Sequence, residues 1–398
     1  MSQSRESGGL AATSRVMVPF AAMSASYFAH IGFFNPYLSL WLKELGYSVG
    51  VIGVLVSLQA FTRLYSPYAW GWLSDRTGHR VRLLRISAGI ALFCSLGLAH
   101  QGGLVWLALV LLLMFTHTSS MMPMSEAAMA HVVSQGGVLD ARKYGRIRLW
   151  GSLGFLVTVF LAGWWFDHHG MKDFPLWTWV TLALVNLSVW SMPQMRETHG
   201  EHGAQPSVLT ELRRRHNLWF FITLFFHVLA HIALYSFYSL YLDSLGYSKA
   251  VIGSLWALSV AVEVLGFLTQ GRWLHLLSPA RWVWIAAWVL VLRMVLIAFG
   301  AESLWVLALA QVLHTVTFAI HHSVCISWLS KHFPARLRGR GQALYSIIGY
   351  GATGFLGALG GGVISEQLGL SAVFYGAIPV SLLAVLGAWR LKNLRGEA

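Results

Sequence analysis

The chain has 398 residues, of which 56% are hydrophobic and only 11% are charged, whereas about a quarter of the residues are charged in a typical soluble domain. This composition excludes an ordinary cytosolic enzyme. The net charge of +13 would suggest nucleic-acid binding in a soluble protein, but nothing here indicates a soluble basic fold. We therefore expect no nucleic-acid partner and interpret the charges by their position.

Apolar segments along the chain predict membrane-spanning helices. Such a helix needs about 20 predominantly apolar residues, and a hydropathy window of about 19 residues finds twelve segments of this kind. In chain order they lie at 16–43, 49–73, 82–100, 104–132, 144–166, 174–193, 217–243, 249–271, 282–300, 303–330, 341–365 and 371–391.

The longest polar interval between these segments falls in the middle of the chain, at residues 194–216. We therefore predict an all-α membrane protein with twelve transmembrane helices in two halves. Its parts are a cytoplasmic tail at 1–15, a six-helix bundle at 16–193, a cytoplasmic linker at 194–216, a second six-helix bundle at 217–391 and a cytoplasmic tail at 392–398.

The basic residues predict the orientation, because cytoplasmic loops retain Lys and Arg. With the N-terminus inside, most of the 28 basic residues fall on the cytoplasmic side. The opposite side carries only Lys43, Lys172 and Lys249. Both termini are therefore expected to be cytoplasmic, in a membrane of the bacterial inner-membrane type.

An internal repeat relates the two halves. Residues 29–48 read A-H-I-G-F-F-N-P-Y-L-S-L-W-L-K-E-L-G-Y-S, and residues 230–248 read A-H-I-A-L-Y-S-F-Y-S-L-Y-L-D-S-L-G-Y-S. From Leu45 onward the offset is 200, so Gly53 matches Gly253 and Arg63 lies opposite Glu263. Matching positions fall on the first two helices of each half, which indicates parallel repeats about an axis along the membrane normal.

The loop between the second and third segments, from Gly71 to Arg80, reads G-W-L-S-D-R-T-G-H-R. It resembles the signature loop of the major facilitator superfamily and departs from it where His79 replaces the usual Arg. Glycines permit a tight turn and close helix contact, and an acid can face a helix N-terminus or an arginine. The resemblance implies two pseudo-symmetric six-helix halves and a loop that holds the inward gate shut. The candidate gating residues are Gly71, Asp75, Arg76, Gly78 and Arg80.

Three further segments, at 144–152, 253–264 and 311–322, resemble the phenylpropionate permease family. That family is related to lactose permease, a sugar and proton symporter. The resemblance implies a sugar-type site at Glu126 and Arg148. It also implies a proton-coupling group, with Glu263, Arg293 and His314 as members. Thr317 stands where the related permease has an acid, so the resemblance does not imply the complete proton route of that permease.

Five ionisable residues lie inside the predicted helices, namely Arg63, Glu126, Arg148, Glu263 and Arg293. Each charged group costs about 2.5–3.5 kcal/mol at a helix centre on insertion scales, so we expect these side chains to face one another or a water-filled cavity. Glu126 and Arg148 have an alternative, because both lie near the predicted cytoplasmic ends and could extend to the headgroups.

Histidines and aromatic residues form helical stripes that suit a central cavity with titratable imidazoles. A single buried histidine is more often a packing residue than a ligand. The stripes consist of His30, Phe34, Tyr37 and Trp41 in the first segment, His227, His231, Tyr235 and Tyr238 in the seventh, and His314, Thr317, His321 and His322 in the tenth.

The chain offers little support for cofactor or metal chemistry. Cys94 and Cys325 lie inside apolar stretches without a C-x-x-C spacing, so we expect neither a disulfide framework nor a metal site. The glycine-rich stretch from Gly354 to Gly362 lacks the Lys-Ser/Thr ending of a phosphate-binding loop and is typical of close helix packing. With no nucleotide-binding domain and no cofactor expected, a gradient would drive transport.

These features predict a secondary transporter, not an enzyme, that imports a small organic solute with protons by alternating access. By resemblance, the best candidate solute is an aromatic carboxylate such as 3-phenylpropionate. In this hypothesis an arginine holds the carboxylate, Trp256 and tyrosines stack on the ring, and Glu263 exchanges the proton. The candidate substrate-binding residues are Arg63, Glu126, Arg148, His231, Trp256 and Arg293, and the candidate proton-coupling residues are Glu263, Arg293, His314 and His322.

Several alternatives stay open at this point. The solute could be a sugar or a nucleoside, transport could be outward, or the chain could be a sensor that no longer transports. A membrane redox or metal protein could instead use His227 and His231 as ligands. The expected partners are the solute, protons and the lipid bilayer, and the expected state is a monomer.

Overall fold

In the computed structural model, the described residues are 3–135, 138–139, 141–194, 208–334 and 337–394, with side chains described for 17–129, 147–194, 208–334 and 337–394. Residues 195–207 of the predicted linker and 395–398 of the predicted C-terminal tail lie outside the described residues. The side chains of the predicted N-terminal tail also lie outside them.

The described residues contain twelve helices that are long and apolar enough to cross a membrane. Numbered in chain order as spans 1 to 12, they are Met17–Glu44, Val49–Thr77, Arg80–Ala99, Gly103–Met129, Ile147–His169, Met171–Ser191, Arg215–Ser244, Lys249–Arg272, Pro279–Gly300, Leu304–His332, Arg338–Leu368 and Leu370–Lys392. They lie within a few residues of the predicted segments, and the all-α membrane class is confirmed.

Short elements flank these spans. The first helix begins before span 1 and runs over Gln3–Glu44, and the helix of span 5 begins at Ala141. Between spans 4 and 5, the strands Ser134–Gln135 and Val138–Leu139 form a small antiparallel pair. The helix Val208–Leu212 precedes span 7, inside the predicted linker.

The spans pack as two groups that meet along three pairs of helices. Span 1 packs against spans 5 and 6, and span 9 packs against span 12. The groups meet where span 2 lies against span 11, span 5 against span 8 and span 1 against span 7. Glycines allow two of these approaches: a Cβ on Gly53 would lie 2.7 Å from the Cα of Gly362, and a Cβ on Gly253 would lie 3.3 Å from the Cα of Gly163. Gly53 and Gly253, which the repeat matches, therefore allow the same close packing at two contacts between the halves.

The end of the bundle opposite the termini is held together by matched polar contacts. Spans 2 and 8 begin after Ser48 and Ser248, whose side chains cap them. A carboxylate from the other half accepts a hydrogen bond from the first turn of each span. Glu366 Oε2 lies 2.7 Å from the Gly50 nitrogen, and Asp167 Oδ1 lies 3.0 Å from the Lys249 nitrogen. Negative charge is favourable at a helix N-terminus, so these contacts stabilise the closed form of this end.

A third contact at this end also follows the repeat. Lys43 Nζ lies 2.7 Å from Asp243 Oδ2, and these two residues are separated by the repeat offset of 200. Both are partly exposed, so the pair contributes less than about 1 kcal/mol to stability. It helps to align spans 1 and 7 at the closed end.

Span 7 contains a π-helical segment, Ala233–Phe237. Between His231 and Asp243 the second half has one residue fewer than the first half has between His30 and Lys43. A π turn accommodates an extra residue and not a missing one, so the repeat does not account for this segment. Two further π segments, Thr315–Ile320 and Ile347–Ala352, lie in spans 10 and 11.

Candidate functional site

Arg293 is the centre of a buried polar cluster between spans 7, 9 and 10. The residue is 1% exposed, and all of its guanidinium nitrogens make contacts. Nε donates to the Ala310 carbonyl at 2.7 Å, Nη2 donates to Gln311 Oε1 at 3.0 Å, and Nη1 donates to Thr317 Oγ1 at 3.2 Å. The π segment of span 10 begins directly after the cluster residue His314, and Thr317 lies within it.

Two imidazoles complete the cluster, and Arg293 fixes their tautomers. Arg293 Nη1 lies 3.0 Å from His314 Nδ1 and 3.4 Å from His231 Nε2. Because a guanidinium only donates, both of these ring nitrogens act as acceptors. The proton of neutral His314 is therefore on Nε2, which lies 3.5 Å from Glu263 Oε2. A continuous polar path runs from Glu263 through His314 and Arg293 to His231.

Thr317 bridges Arg293 and His231. Its hydroxyl lies 3.2 Å from Arg293 Nη1 and 3.1 Å from His231 Nε2. Within the described part of the chain, no carboxylate forms an ion pair with Arg293. The positive charge of Arg293 is therefore solvated by neutral groups, and the acid nearest to the cluster, Glu263, reaches it through His314.

The remaining histidines of spans 7 and 10 lie beside this path. His227 and His321 stack with ring centroids 3.7 Å apart, and His227 Nε2 donates to the Thr317 carbonyl at 2.8 Å. His322 Nδ1 lies 2.9 Å from the Tyr345 hydroxyl. The two stripes do converge, because span 7 packs against span 10 at these rings.

The stripe in span 1 behaves differently from the expectation. His30 Nδ1 lies 3.0 Å from Thr181 Oγ1, and Trp41 stacks on Phe174 with centroids 4.8 Å apart. Both partners belong to span 6, so His30 and Trp41 pack inside the first half and do not line a cavity. The helical spacing of these residues could not distinguish packing from lining, since either use places them on one face.

Glu126 and Arg148 form an ion pair of 3.7 Å between spans 4 and 5, with side chains 34% and 43% exposed. The guanidinium of Arg148 also lies 4.3 Å from the ring centroid of Phe28. Arg148 is close enough to Glu263 and His322 of the second half to interact with them electrostatically. This position favours a cavity between the halves over the headgroup alternative.

Arg63 is a third arginine of this region. It is partly buried on span 2 and lies within electrostatic range of Tyr27, Tyr235 and Tyr350. Among the residues that the structure describes, no carboxylate pairs with it. Arg63 therefore keeps hydrogen-bond donors that a solute could use.

An aromatic surface lies beside Arg63. Tyr235 stacks on Trp256 at a centroid distance of 6.5 Å and on His231 at 5.9 Å. Trp256 is 8% exposed and its Nε1 donates to Ser239 Oγ, whereas Tyr235 is partly exposed. The sequence analysis selected Trp256 as the stacking ring, but the structure gives Tyr235 the more accessible position.

Sequence reasoning missed three side chains of this region as site residues, namely Tyr235, Tyr350 and Gln311. Tyr235 was visible in the span 7 stripe, and Gln311 lies three residues before His314 in a quoted segment. A polar residue one turn from a candidate site histidine was thus the available signal. Tyr350 lies in the π segment of span 11, which the sequence pattern does not indicate.

The geometry gives no support to a metal site at His227 and His231. The Nε2 atoms of both rings are directed to Thr317, to its carbonyl and its hydroxyl respectively, and Arg293 lies beside His231. A nearby guanidinium repels a metal cation. No group of three or more potential ligands occurs among the described residues.

The predicted gating loop lies at the end that carries the termini, which we call the basic end. Gly78 has a left-handed conformation with φ 70° and ends span 2, as a tight turn requires. Asp75 pairs with Arg80 at 3.0 Å, and the Asp75 side chain is 62% exposed. A Cβ on Gly71 would meet no described atom within 4 Å, so the close helix contact expected there is not made in this conformation. Arg76 lies over the Trp72 ring.

Replacing Arg293 by Lys tests whether the cluster needs the guanidinium or only its charge. We expect transport to fall at least about tenfold and the thermal unfolding midpoint to drop, because an ammonium group cannot reach Ala310, Gln311 and Thr317 together. Solute uptake and thermal unfolding of Arg293→Lys would check this. Wild-type uptake by Arg293→Lys would show that charge alone suffices.

Comparison with known proteins agrees with this architecture. The chain is 26% identical over 379 residues to a probable 3-phenylpropionic acid transporter of Escherichia coli, covering 92% of this chain and 94% of that protein. It is also 26% identical over 352 residues to the maltose permease of Geobacillus stearothermophilus, covering 87% of each chain.

Solved structures show the same fold. The nucleoside transporter NupG, in a mutant form, superposes with a TM-score of 0.80 at 17% identity, covering 94% of this chain and 98% of that chain. These relatives are membrane transporters, so the enzyme alternative is set aside. Residues 23–376 match the MFS_1 like family, and the chain therefore belongs to this family of major facilitator transporters.

Proposed function

We propose that the protein imports a small aromatic carboxylate, such as 3-phenylpropionate, together with protons. The observation that carries this proposal is the excess of positive charge among the ionisable residues inside the membrane. The five intramembrane ionisable residues are three arginines and two glutamates, and Arg63 has no carboxylate partner among the described residues. A monocarboxylate would neutralise this excess charge, and Tyr235 offers an aromatic face beside it.

Glu263 is the candidate site for the coupled proton. It is largely buried on span 8, and its carboxylate lies 3.5 Å from His314 Nε2. Within the described part of the chain no Lys or Arg forms an ion pair with it. A carboxyl group in such a position can exchange a proton with a water-filled cavity, and His314 connects that exchange to Arg293.

The distribution of the basic residues supports the orientation of this scheme. Most basic residues lie at the basic end, which the positive-inside rule assigns to the cytoplasm. With that assignment, the contacts of Glu366 and Asp167 close the outward end, and the structure faces the cytoplasm. A bacterial-type inner membrane with both termini inside completes the proposal.

A sugar or nucleoside is the second candidate solute. The observation that favours it is the half-exposed ion pair of Glu126 and Arg148, which offers both acceptors and donors to hydroxyl groups. The maltose permease and the nucleoside transporter among the similar proteins agree with this alternative.

Uptake into proteoliposomes tests the two candidates together. Labelled 3-phenylpropionate, maltose and a nucleoside would each be offered with and without an imposed pH gradient, acidic outside. We expect the carboxylate to accumulate only when the pH gradient is imposed. A protonophore should abolish this accumulation. Gradient-insensitive uptake would reject symport, and uptake of only the sugar or nucleoside would favour the second candidate.

Replacing Glu263 by Gln separates proton coupling from solute binding. We expect gradient-driven accumulation to fall by about tenfold or more, while exchange of solute across the membrane continues, because Gln preserves the shape but cannot bind and release a proton. Uptake and counterflow measured on the same proteoliposomes would check this. Glu302→Gln, at an exposed position beyond span 9, is the control. Full accumulation by Glu263→Gln would place the proton elsewhere.

A further inference from the structure

A second basic site lies away from the central cluster, in a cavity at the basic end of the second half. The cavity has a volume of about 370 Å³ and lies between the start of span 9 and the end of span 12. Its lining residues are Leu277, Arg281, Trp284, Ile285, Lys392 and Asn393. The set contains two cations and no acid.

The two cations are available to an anion. Lys392 Nζ lies 3.9 Å from the ring centroid of Trp284, a contact that orients the ammonium group without neutralising it. Arg281 is exposed. Among the described residues, neither Arg281 nor Lys392 has a carboxylate partner.

The corresponding helices of the first half carry an arginine that is already engaged by the protein. Spans 3 and 6 correspond to spans 9 and 12 in the repeat, and Arg85 of span 3 lies over the Trp190 ring. Arg85 Nη2 also donates to the carbonyls of Trp190 and Met192, at 3.2 and 2.6 Å. The arginine therefore satisfies the end of span 6. Among the described residues, Arg281 and Lys392 of the second half make no such contacts with backbone carbonyls, and a cavity lies between them.

The position of the cavity identifies the anion. Span 9 begins at Pro279 and span 12 ends at Lys392, so the lining lies at the depth of the lipid headgroups. Apolar Leu277 and Ile285 adjoin the cations, and tryptophan is typical of this interface. Basic pockets between transmembrane helices at the positive end of a membrane protein suit anionic lipid headgroups.

We propose that this cavity binds the phosphate headgroup of an anionic phospholipid from the leaflet at the basic end. Arg281 and Lys392 contact the phosphate, Trp284 packs against the glycerol region, and Asn393 donates a hydrogen bond. The site is separate from the solute pathway, so it stands whether or not the proposed substrate is correct.

Native mass spectrometry of the delipidated full chain tests this proposal, with phosphatidylglycerol and phosphatidylcholine as the probes. We expect the affinity of the tightest phosphatidylglycerol site to exceed the affinity for phosphatidylcholine at least about tenfold. The double variant R281Q/K392Q should weaken binding at that site about thirtyfold, because each basic group near the lipid surface contributes roughly fivefold.

The control variant R272Q/R390Q removes the same charge from exposed positions at the same end, outside the cavity lining, and should change binding by less than about threefold. Equal loss in both double variants would overturn the proposal in favour of a general surface charge effect. Displacement of phosphatidylglycerol by millimolar inorganic phosphate would overturn it in favour of a free anion. Stabilisation of the wild-type protein against heat by phosphatidylglycerol, but not by phosphatidylcholine, provides a readout that does not depend on either variant.

Discussion

A Gly53→Val variant is expected to lose at least about 99% of solute uptake while remaining folded. In the closed end of the structure, even a Cβ on Gly53 would lie 2.7 Å from Gly362 Cα and 2.8 Å from the Ala358 carbonyl. These contacts are with backbone atoms, which cannot move aside as a flexible side chain would. Valine therefore forces spans 2 and 11 apart at this point, and the end opposite the termini cannot close. A transporter that works by alternating access stops when one of its two closed forms is inaccessible.

The measurement combines uptake with a distance between the two halves. Spin labels at Leu45→Cys and Leu245→Cys, which are exposed at repeat-matched positions of the closed end, would report its opening in a background without the natural cysteines. The expected distance in Gly53→Val is longer than in wild type by several ångströms. Gly360→Val is the matched control, because Gly360 lies in span 11 and its Cβ would meet no described atom within 4 Å. Normal uptake by Gly53→Val, or an unchanged label distance, would contradict this role for the glycine.

The same residues show how far the sequence predicts the fold. The length of the apolar segments predicted all twelve spans of the described chain, since bilayer thickness fixes the length of a span. The repeat predicted that Gly53 and Gly253 are equivalent, and both lie at close helix contacts. Neither the repeat nor hydropathy predicted the π segment of span 7, since a local change of helix type leaves an apolar segment apolar.

The candidate site was predictable as a set of residues but not as a set of contacts. The cost of burying charge in a membrane identified the five ionisable residues, and the structure places Glu126 beside Arg148. The sequence pattern could not predict the partners of Arg293. The Ala310 carbonyl and Gln311 belong to a neighbouring span, and the pattern does not specify how that span is rotated. For the same reason, the histidine of span 1 was expected at a cavity, although it bonds to Thr181 inside the first half.

Arg63 and Glu263 occupy matched positions in the two halves and share two aromatic neighbours. Both lie within electrostatic range of Tyr235 and Tyr350, so a cation and an acid flank one aromatic group. In the proposed mechanism the solute carboxylate binds Arg63, its ring packs on Tyr235, and the proton resides on Glu263. An Arg63→Gln variant should therefore lose carboxylate uptake at least about a hundredfold, because leaving a buried charge without its partner costs about 3–5 kcal/mol.

The charge of the solute provides the decisive comparison for this variant. We expect Arg63→Gln to discriminate less than wild type between 3-phenylpropionate and its uncharged amide, because the guanidinium recognises the carboxylate and not the ring. Arg63→Lys should recover part of the uptake, since it keeps the charge but not the planar pair of donors. Arg82→Gln, at an exposed position in span 3, is the control for loss of one positive charge.

If Arg63→Gln transports the carboxylate normally and Arg148→Gln does not, the anion site belongs to Arg148, and the repeat-matched pair has no part in binding. If the amide and the carboxylate lose uptake equally, Arg63 holds the cavity in shape without recognising charge.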